Sequence, residues 1–306
     1  NGTPCMGVGD VYAVDAVPDC YYVDTGMYGT TGYGAVYIYD TERPAIVDTG
    51  IGTNYEYILG ALAEEGIAPS ELASMLVTHV HLDHAGGAGF LASETDADVY
   101  VHESGVSFLA APGRLWAGTK AAVGEQIKFY TEPIAVPGER LQPIEDGSAI
   151  DLGSRSLEVR HAPGHAFHQV VFYDDDADAV FAADAAGIYA RHVETVLETS
   201  PPSGFDLEEV IEDAKMVQGL DPETICYAHF GPAPAADRLE TYIDVITDWV
   251  ESVGQKRSEL EEDEAVIEHF VESSPVPDVW GGLKGTQEVV TNVRGVLQYL
   301  EKKSAE

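Results

Sequence analysis

Four metal-ligating side chains crowd into six residues of this chain: His79-Val80-His81-Leu82-Asp83-His84, followed by Ala85-Gly86-Gly87. The run before it, Met75 to Thr78, has the apolar character of a short buried strand. Imidazole suits zinc, iron and related ions, and a carboxylate completes or bridges such a site. A turn that brings His79 and His81 to one ion leaves Asp83 and His84 facing a neighbouring one. The glycine pair lets the backbone approach closely before the next helix. Four such residues in an ordinary surface turn are far rarer than the same cluster around a metal.

The rest of the pattern is mixed α/β. Gly34 to Tyr39 and Ala45 to Val47 read as strands, the second ending in Asp48-Thr49-Gly50. Tyr55, Ile58, Leu59 and Leu62 follow helical spacing, with Asn54 as the expected N-cap. Val99 to Val101 reads as a strand and Ser104 to Ala110 as a helix. Strands return at Ser156 to Arg160, Val170 to Tyr173 and Ala179 to Ala182. Beyond Asp206, which caps a helix running to about Gly219, helices dominate. Leu239, Ile243, Ile246, Val250 and Val253 mark one apolar face, and Val289 to Leu300 a last helix. Two strand-rich halves interleaved with helices predict a layered α/β sandwich with a helical C-terminus.

Thr78-His79-Val80-His81-Leu82-Asp83-His84-Ala85-Gly86-Gly87 resembles the signature of the metallo-β-lactamase-fold hydrolases. Further elements follow in that family's order: Asp48 in Val47-Asp48-Thr49-Gly50, His165 in Ala162-Pro163-Gly164-His165, Asp184 after Phe181-Ala182-Ala183, and His229 in Ala228-His229-Phe230-Gly231-Pro232. The resemblance implies a four-layer αββα sandwich over 8–232, with the C-terminal helices of 233–306 packed on the same domain. It implies two divalent metal ions, zinc by default, with iron or manganese also fitting. His79, His81 and His165 would hold the first, Asp83, His84 and His229 the second, and Asp184 would bridge them. His84 and the Pro-Gly-His165 context are similar to the glyoxalase II-like branch, although Ala166-Phe167-His168 departs from its pattern after the histidine.

The chemistry this implies is hydrolysis by a hydroxide bridging the two ions, because metal binding lowers the pKa of water to about 7. Asp83 then serves as both ligand and orienter of the nucleophile. Asp48 either fixes a ligand's other ring nitrogen or accepts backbone N–H bonds in a turn. His168, Tyr189 and Trp116 are candidates for substrate contact or support of the ligands. The expected substrate is a small ester, thioester or lactone. Alternatives are a ribonuclease or phosphodiesterase at the same site, a β-lactamase-like side activity, and a non-catalytic metal-binding scaffold.

Charge bears on partners. The 306 residues carry 53 Asp and Glu against 16 Lys and Arg, a formal net charge of −37. Self-repulsion of that size destabilises a compact chain in dilute buffer and is screened in molar salt, where the Debye length is roughly 3 Å. The acidity is therefore read as halophilic adaptation. It disfavours nucleic acid and anionic membranes, with RNA kept open because salt weakens such footprints. From Ser104 to Thr131 the only acid is Glu125, beside Arg114, Lys120, Lys128, Phe108, Trp116, Phe129 and Tyr130. That stretch is read as a lid over the metals, a homodimer interface or a buried helix.

No run of 18 apolar residues exists, so no membrane helix is expected. Asn1-Gly2-Thr3-Pro4 opens no basic and apolar leader pattern. Cys5, Cys20 and Cys226 form no CxxC pair, so reduced thiols in a cytoplasm are expected.

Overall fold

The computed structural model describes residues 7–202, 204–260, 262–276 and 280–305, so Cys5 and the first four residues lie outside the described residues. Alternating side chains explain the architecture. In β3 (Ala35–Tyr39) every residue is buried. Ala35, Tyr37 and Tyr39 face one core, while Val36 and Ile38 face another. In β11 (Ala179–Ala183), Ala179 and Phe181 share the core of Tyr37, whereas Val180 and Ala182 turn to a third. A strand buried on both faces needs a layer on each side. Three cores stacked this way give helix, sheet, sheet and helix, the expected four-layer αββα sandwich.

The first sheet runs in chain order: β1 (Val11–Ala13), β2 (Cys20–Asp24), β3, β4 (Ala45–Val47), β5 (Ser74–Leu76), β6 (Asp98–His102) and β7 (Leu141–Ile144). It is antiparallel up to β4 and parallel from β4 to β7. α1 (Tyr55–Glu64) and α3 (Ala88–Glu94) cover its outer face, burying Ile58, Leu62 and Leu91.

The second sheet contains β8 (Ala149–Asp151), β9 (Ser156–His161), β10 (Val170–Asp174), β11, β14 (Thr224–Tyr227) and β15 (Gly231–Pro234). Its spatial order is β15-β14-β11-β10-β9-β8, and β11 pairs β14 in parallel. β12 (Ile188–Ala190) and β13 (Thr195–Leu197) form a separate hairpin. α6 (Leu207–Gly219), α7 (Arg238–Leu260), α8 (Asp263–Ser273) and α9 (Gly282–Ala305) cover this sheet's outer face. Val210, Ile246, Val253 and Val293 carry that packing. Each fully buried side chain of this size contributes about 1.5–3 kcal/mol.

Local signals hold unevenly. Asp206 caps α6, its carboxylate accepting from the Glu209 N–H at 3.4 Å. Asn54 stands before α1 but makes no side-chain cap. Its amide instead donates to Thr25 O at 2.6 Å, tying the helix start to the end of β2. The helix expected over Ser104 to Ala110 is a 3₁₀ turn, Glu103–Gly105, leading into α4 (Val106–Ala110). The last helix is longer than its apolar face suggested, because its polar ends carry no period. Cys20 and Cys226 are buried and free. No described helix is long and apolar enough to cross a membrane.

The stretch from 104 to 131 is not a buried helix. α5 (Gly113–Ala122) has no buried residue. Its face at Gly118, Thr119 and Ala122, with Gln126 and Tyr130 beyond it, forms one wall of a cavity whose floor holds the histidine motif.

Candidate metal centre

Strand ends assemble this site. β5 runs into His79 and His81, and the single turn α2 (Leu82–Ala85) presents Asp83 and His84. β4 ends at Asp48, the β9–β10 connection carries His165, and β14 is followed by His229. β11 delivers Asp184 through an irregularity: its register against β14 shifts between Phe181 and Ala183, and Ala183 has φ 47°. A bulge of this kind re-aims the next side chain.

Two glycines permit the close contacts. A Cβ on Gly87 would sit 2.2 Å from Thr49 O. That space lets the Thr49 N–H donate to His84 O at 2.7 Å, docking the motif on the end of β4. A Cβ on Gly164 would sit 2.2 Å from the Val210 nitrogen. The Gly164 N–H donates to Asp213 Oδ2 at 2.6 Å, which seats the His165 loop against α6.

All seven donors converge, in two adjoining groups. His79, His81, His165 and Asp184 offer atoms within 4.8 Å of one another, as do Asp83, His84 and His229. His81 Nδ1 lies 3.0 Å from His79 Nε2 and 3.1 Å from His165 Nε2. His229 Nε2 lies 3.1 Å from His84 Nε2. Asp184 stands between the groups, with Oδ2 3.0 Å from His165 Nε2 and 3.4 Å from His84 Nε2. Its Oδ1 is buried and has no hydrogen-bond partner.

Those contacts fit cations. Neutral imidazoles have one N–H each: with those of His84 and His229 directed from Nδ1 to Asp48 and to Tyr33 O, their facing Nε2 atoms both present lone pairs, and His81 Nδ1 cannot pair with two Nε2 atoms at once. A divalent ion within each group would satisfy them together, and would also give the orphaned Asp184 oxygen a partner. The protonation states agree. Burial pushes His79, His81 and His229 below the ordinary histidine range, and His165 down to about 3. Burial opposes ionisation of Asp184, but the His165 and His84 rings outweigh it and hold the carboxyl well below the usual range. Asp83 is lowered in the same way, against burial, by His84 and His229. His84 is the exception. Burial would lower it, but the carboxylates of Asp184 and Asp48 raise it well above normal.

Outer partners fix the rings. His84 Nδ1 lies 2.9 Å from Asp48 Oδ2. Asp48 Oδ1 accepts from the Thr78 N–H and hydroxyl, both at 2.8 Å, so this carboxylate performs both roles weighed for it. His229 Nδ1 lies 3.0 Å from Tyr33 O. Such partners set tautomer and ring orientation.

The remaining candidates divide. His168 is buried beside the first group, its ring 5.9 Å from that of His81, yet it belongs to neither donor group. Burial holds it down to about 3. Tyr189 stacks on Tyr227 under the Arg238 guanidinium and does not line the cavity. Nor does Trp116, whose ring carries the Lys120 ammonium at 5.2 Å.

The cavity, of about 180 Å³, brings in residues that carry no motif. Tyr28 and Tyr33 come from the turn between β2 and β3, and Lys284 and Glu288 from α9. Tyr130 belongs to the acid-poor stretch, whose aromatic content was the one available signal. Lys284 pairs with Glu288 and lies over the rings of Tyr33 and Tyr28, at 4.1 and 4.7 Å.

The model of the metallo-beta-lactamase superfamily matches residues 29–229. Human acyl-coenzyme A thioesterase MBLAC2 is 30% identical over 158 residues, 47% of this chain and 54% of its own length. The chain thus spans about half the length of that relative. An uncharacterized protein of Mycobacterium tuberculosis is 31% identical over 193 residues, 60% of this chain and 80% of its own. Among solved structures, an archaeal metallo-beta-lactamase superfamily protein from Sulfolobus tokodaii superposes with TM-score 0.69 at 20% identity, covering 96% of this chain and all of that one.

Proposed function

The chain belongs to the metallo-beta-lactamase superfamily, and we propose on that premise that it hydrolyses a small thioester at a two-metal centre. One observation carries the reading: two adjoining donor groups, four residues and three, both open onto the floor of a single cavity, through His81, His165 and Asp184 on one side and Asp83 and His229 on the other. His79, His81 and His165 would hold one ion, Asp83, His84 and His229 the other, with Asp184 shared. Two bound divalent ions supply an activated water near neutral pH and polarise the scissile carbonyl.

The chain's own groups do the rest. Asp83 is the most open of the donors on its side of the cavity, with a side chain 22% exposed, and is held as a carboxylate. Its carboxylate would take a proton from the attacking water and orient that water toward the carbonyl. Tyr28, Tyr33 and Tyr130 limit the width of the space above it. α5 on one side and α9 on the other exclude bulk solvent from the reacting groups. A cavity of about 180 Å³ between those walls suits a small acyl group better than a polymer. The thioester, in preference to an ester or lactone, is supported by the thioesterase among the relatives. Zinc is the ion proposed, since five histidines and two carboxylates form the donor set.

A substrate panel in molar salt tests the reading: an acyl thioester, a lactone, a cephalosporin, a phosphodiester and labelled RNA, each with the wild type and Asp83→Ala. The thioester should turn over fastest, and the variant should be inactive. Preferred cleavage of RNA, or full activity in the variant, would overturn it.

A further inference from the structure

Two tyrosines of the cavity wall, 102 residues apart in the chain, reach the donor set together. Tyr28 Oη donates to Asp83 Oδ2 at 3.2 Å, and Tyr130 Oη lies 2.5 Å from Tyr28 Oη. A phenol has one proton. If Tyr28 gives its proton to Asp83, Tyr130 must be the donor to Tyr28. The direction of the chain is therefore fixed: Tyr130 to Tyr28 to Asp83.

The placement of Tyr28 is costly, which argues against an incidental contact. Tyr28 has φ 57°, a left-handed conformation that a bulky residue rarely adopts. Gly26 and Gly29 on either side are also left-handed. Fully buried Asp24 pins this turn, accepting from the Gly26 N–H at 2.9 Å and the Gly32 N–H at 2.7 Å. Strain of this kind persists where surroundings over-determine it. Here Asp24, two glycines and the packing of Tyr28 against Tyr33 and Phe129 all hold one hydroxyl against Asp83.

Asp83 needs such an anchor. Within its own donor group, His84 and His229 have their outer ring nitrogens met by Asp48 and by the backbone oxygen of Tyr33, whereas the Asp83 side chain is 22% exposed. We propose that Tyr130 and Tyr28 form a hydroxyl relay that sets the orientation of Asp83, so that the acid-poor wall of the cavity is coupled to one of the two metal positions. Both tyrosines are positioning residues: they act through Asp83. The relay gives the stretch from 104 to 131 a specific task. It carries Tyr130, whose hydroxyl starts the relay.

This inference rests on the proposed two-metal reading, and the test separates the two. Metal affinity of the wild type, Tyr28→Phe, Tyr130→Phe and the double variant is measured by chelator competition, alongside thermal midpoint and kcat and KM for the thioester. Phenylalanine keeps the ring packing, so the thermal midpoints should stay close. Loss of an outer partner of a ligand weakens metal affinity or activity about 10–100-fold. Tyr28→Phe should therefore weaken one zinc equivalent about tenfold and leave the other unchanged, lowering kcat with little effect on KM. Tyr130→Phe should do the same to a smaller degree and add little once Tyr28 is replaced. A wild type that binds no metal defeats the two-metal reading. A wild type that binds two, with variants whose equivalents are both unchanged or both equally weakened, defeats the relay alone.

Discussion

Asp48 Oδ2 and His84 Nδ1 lie 2.9 Å apart, both side chains almost wholly screened from water. The same carboxylate receives the Thr78 N–H and hydroxyl, so one residue at the end of β4 clamps both the strand before the motif and a ring within it. Asp48→Asn keeps an acceptor but loses the charge that raises His84. Asp48→Ala also strands two donors from Thr78. Activity should fall about 10–100-fold in the alanine variant, with weakened metal binding, and less in the asparagine variant. Metal content and thioester turnover of the two, compared with wild type, check this order.

Gly164 has no room for a side chain. A Cβ there meets the Val210 backbone at 2.2 Å, and the clash cannot be relieved by moving a flexible side-chain end. Gly164→Ala should cost about 1–3 kcal/mol, as overpacking does, and displace His165 from the first donor group. Denaturant unfolding and metal stoichiometry should therefore both fall; a variant with wild-type stability and full metal content would show that the loop can lift from α6 at no cost.

Asp213 gives a pH dependence with a definite sign. Burial pushes its carboxyl up to about 7, against the Gly164 N–H bond, with Glu209 and Glu212 adding to the rise. A carboxyl raised in the folded state binds its proton more tightly there than in the unfolded chain. Its contribution is fully present below the unfolded value of about 3.9 and is lost as pH climbs toward 7. Glu198, raised by burial to about 7, acts in the same direction. Asp213→Asn keeps the acceptor for Gly164 and removes the ionisation. Unfolding free energy measured from pH 4 to 8 should fall less steeply for the variant than for wild type.

The acidic composition predicts a salt response. With a net charge of −37, repulsion is relieved as the Debye length shrinks from about 10 Å at 0.1 M to about 3 Å at 1 M. The thermal midpoint should rise through molar potassium chloride. A midpoint that is flat or falling would remove the halophilic interpretation of the charge.

The sequence carried the seven donors because each follows a strand in a recognisable local context, and strand ends on one edge of a sandwich must meet. It carried the sandwich because β3 and β11 alternate between two buried faces. It did not carry Tyr28, Tyr33, Lys284 or Glu288. A tyrosine in a glycine-rich turn has no period, and a lysine on an amphipathic helix reads as solvated until that helix is placed. Those residues reach the cavity only through the crossing of α9 over the β2–β3 turn, a contact between parts of the chain some 250 residues apart. Asn54 failed as a cap for a related reason: Thr25, brought near by the fold, offers its amide a carbonyl.

The central claim concerns metal. Elemental analysis of protein purified without chelator, in molar salt, measures it directly. The two-metal centre predicts two equivalents of divalent metal per chain, zinc foremost, falling to one or fewer in Asp184→Ala as the shared oxygens are lost. Less than one equivalent in the wild type, with none taken up on adding zinc, would contradict it.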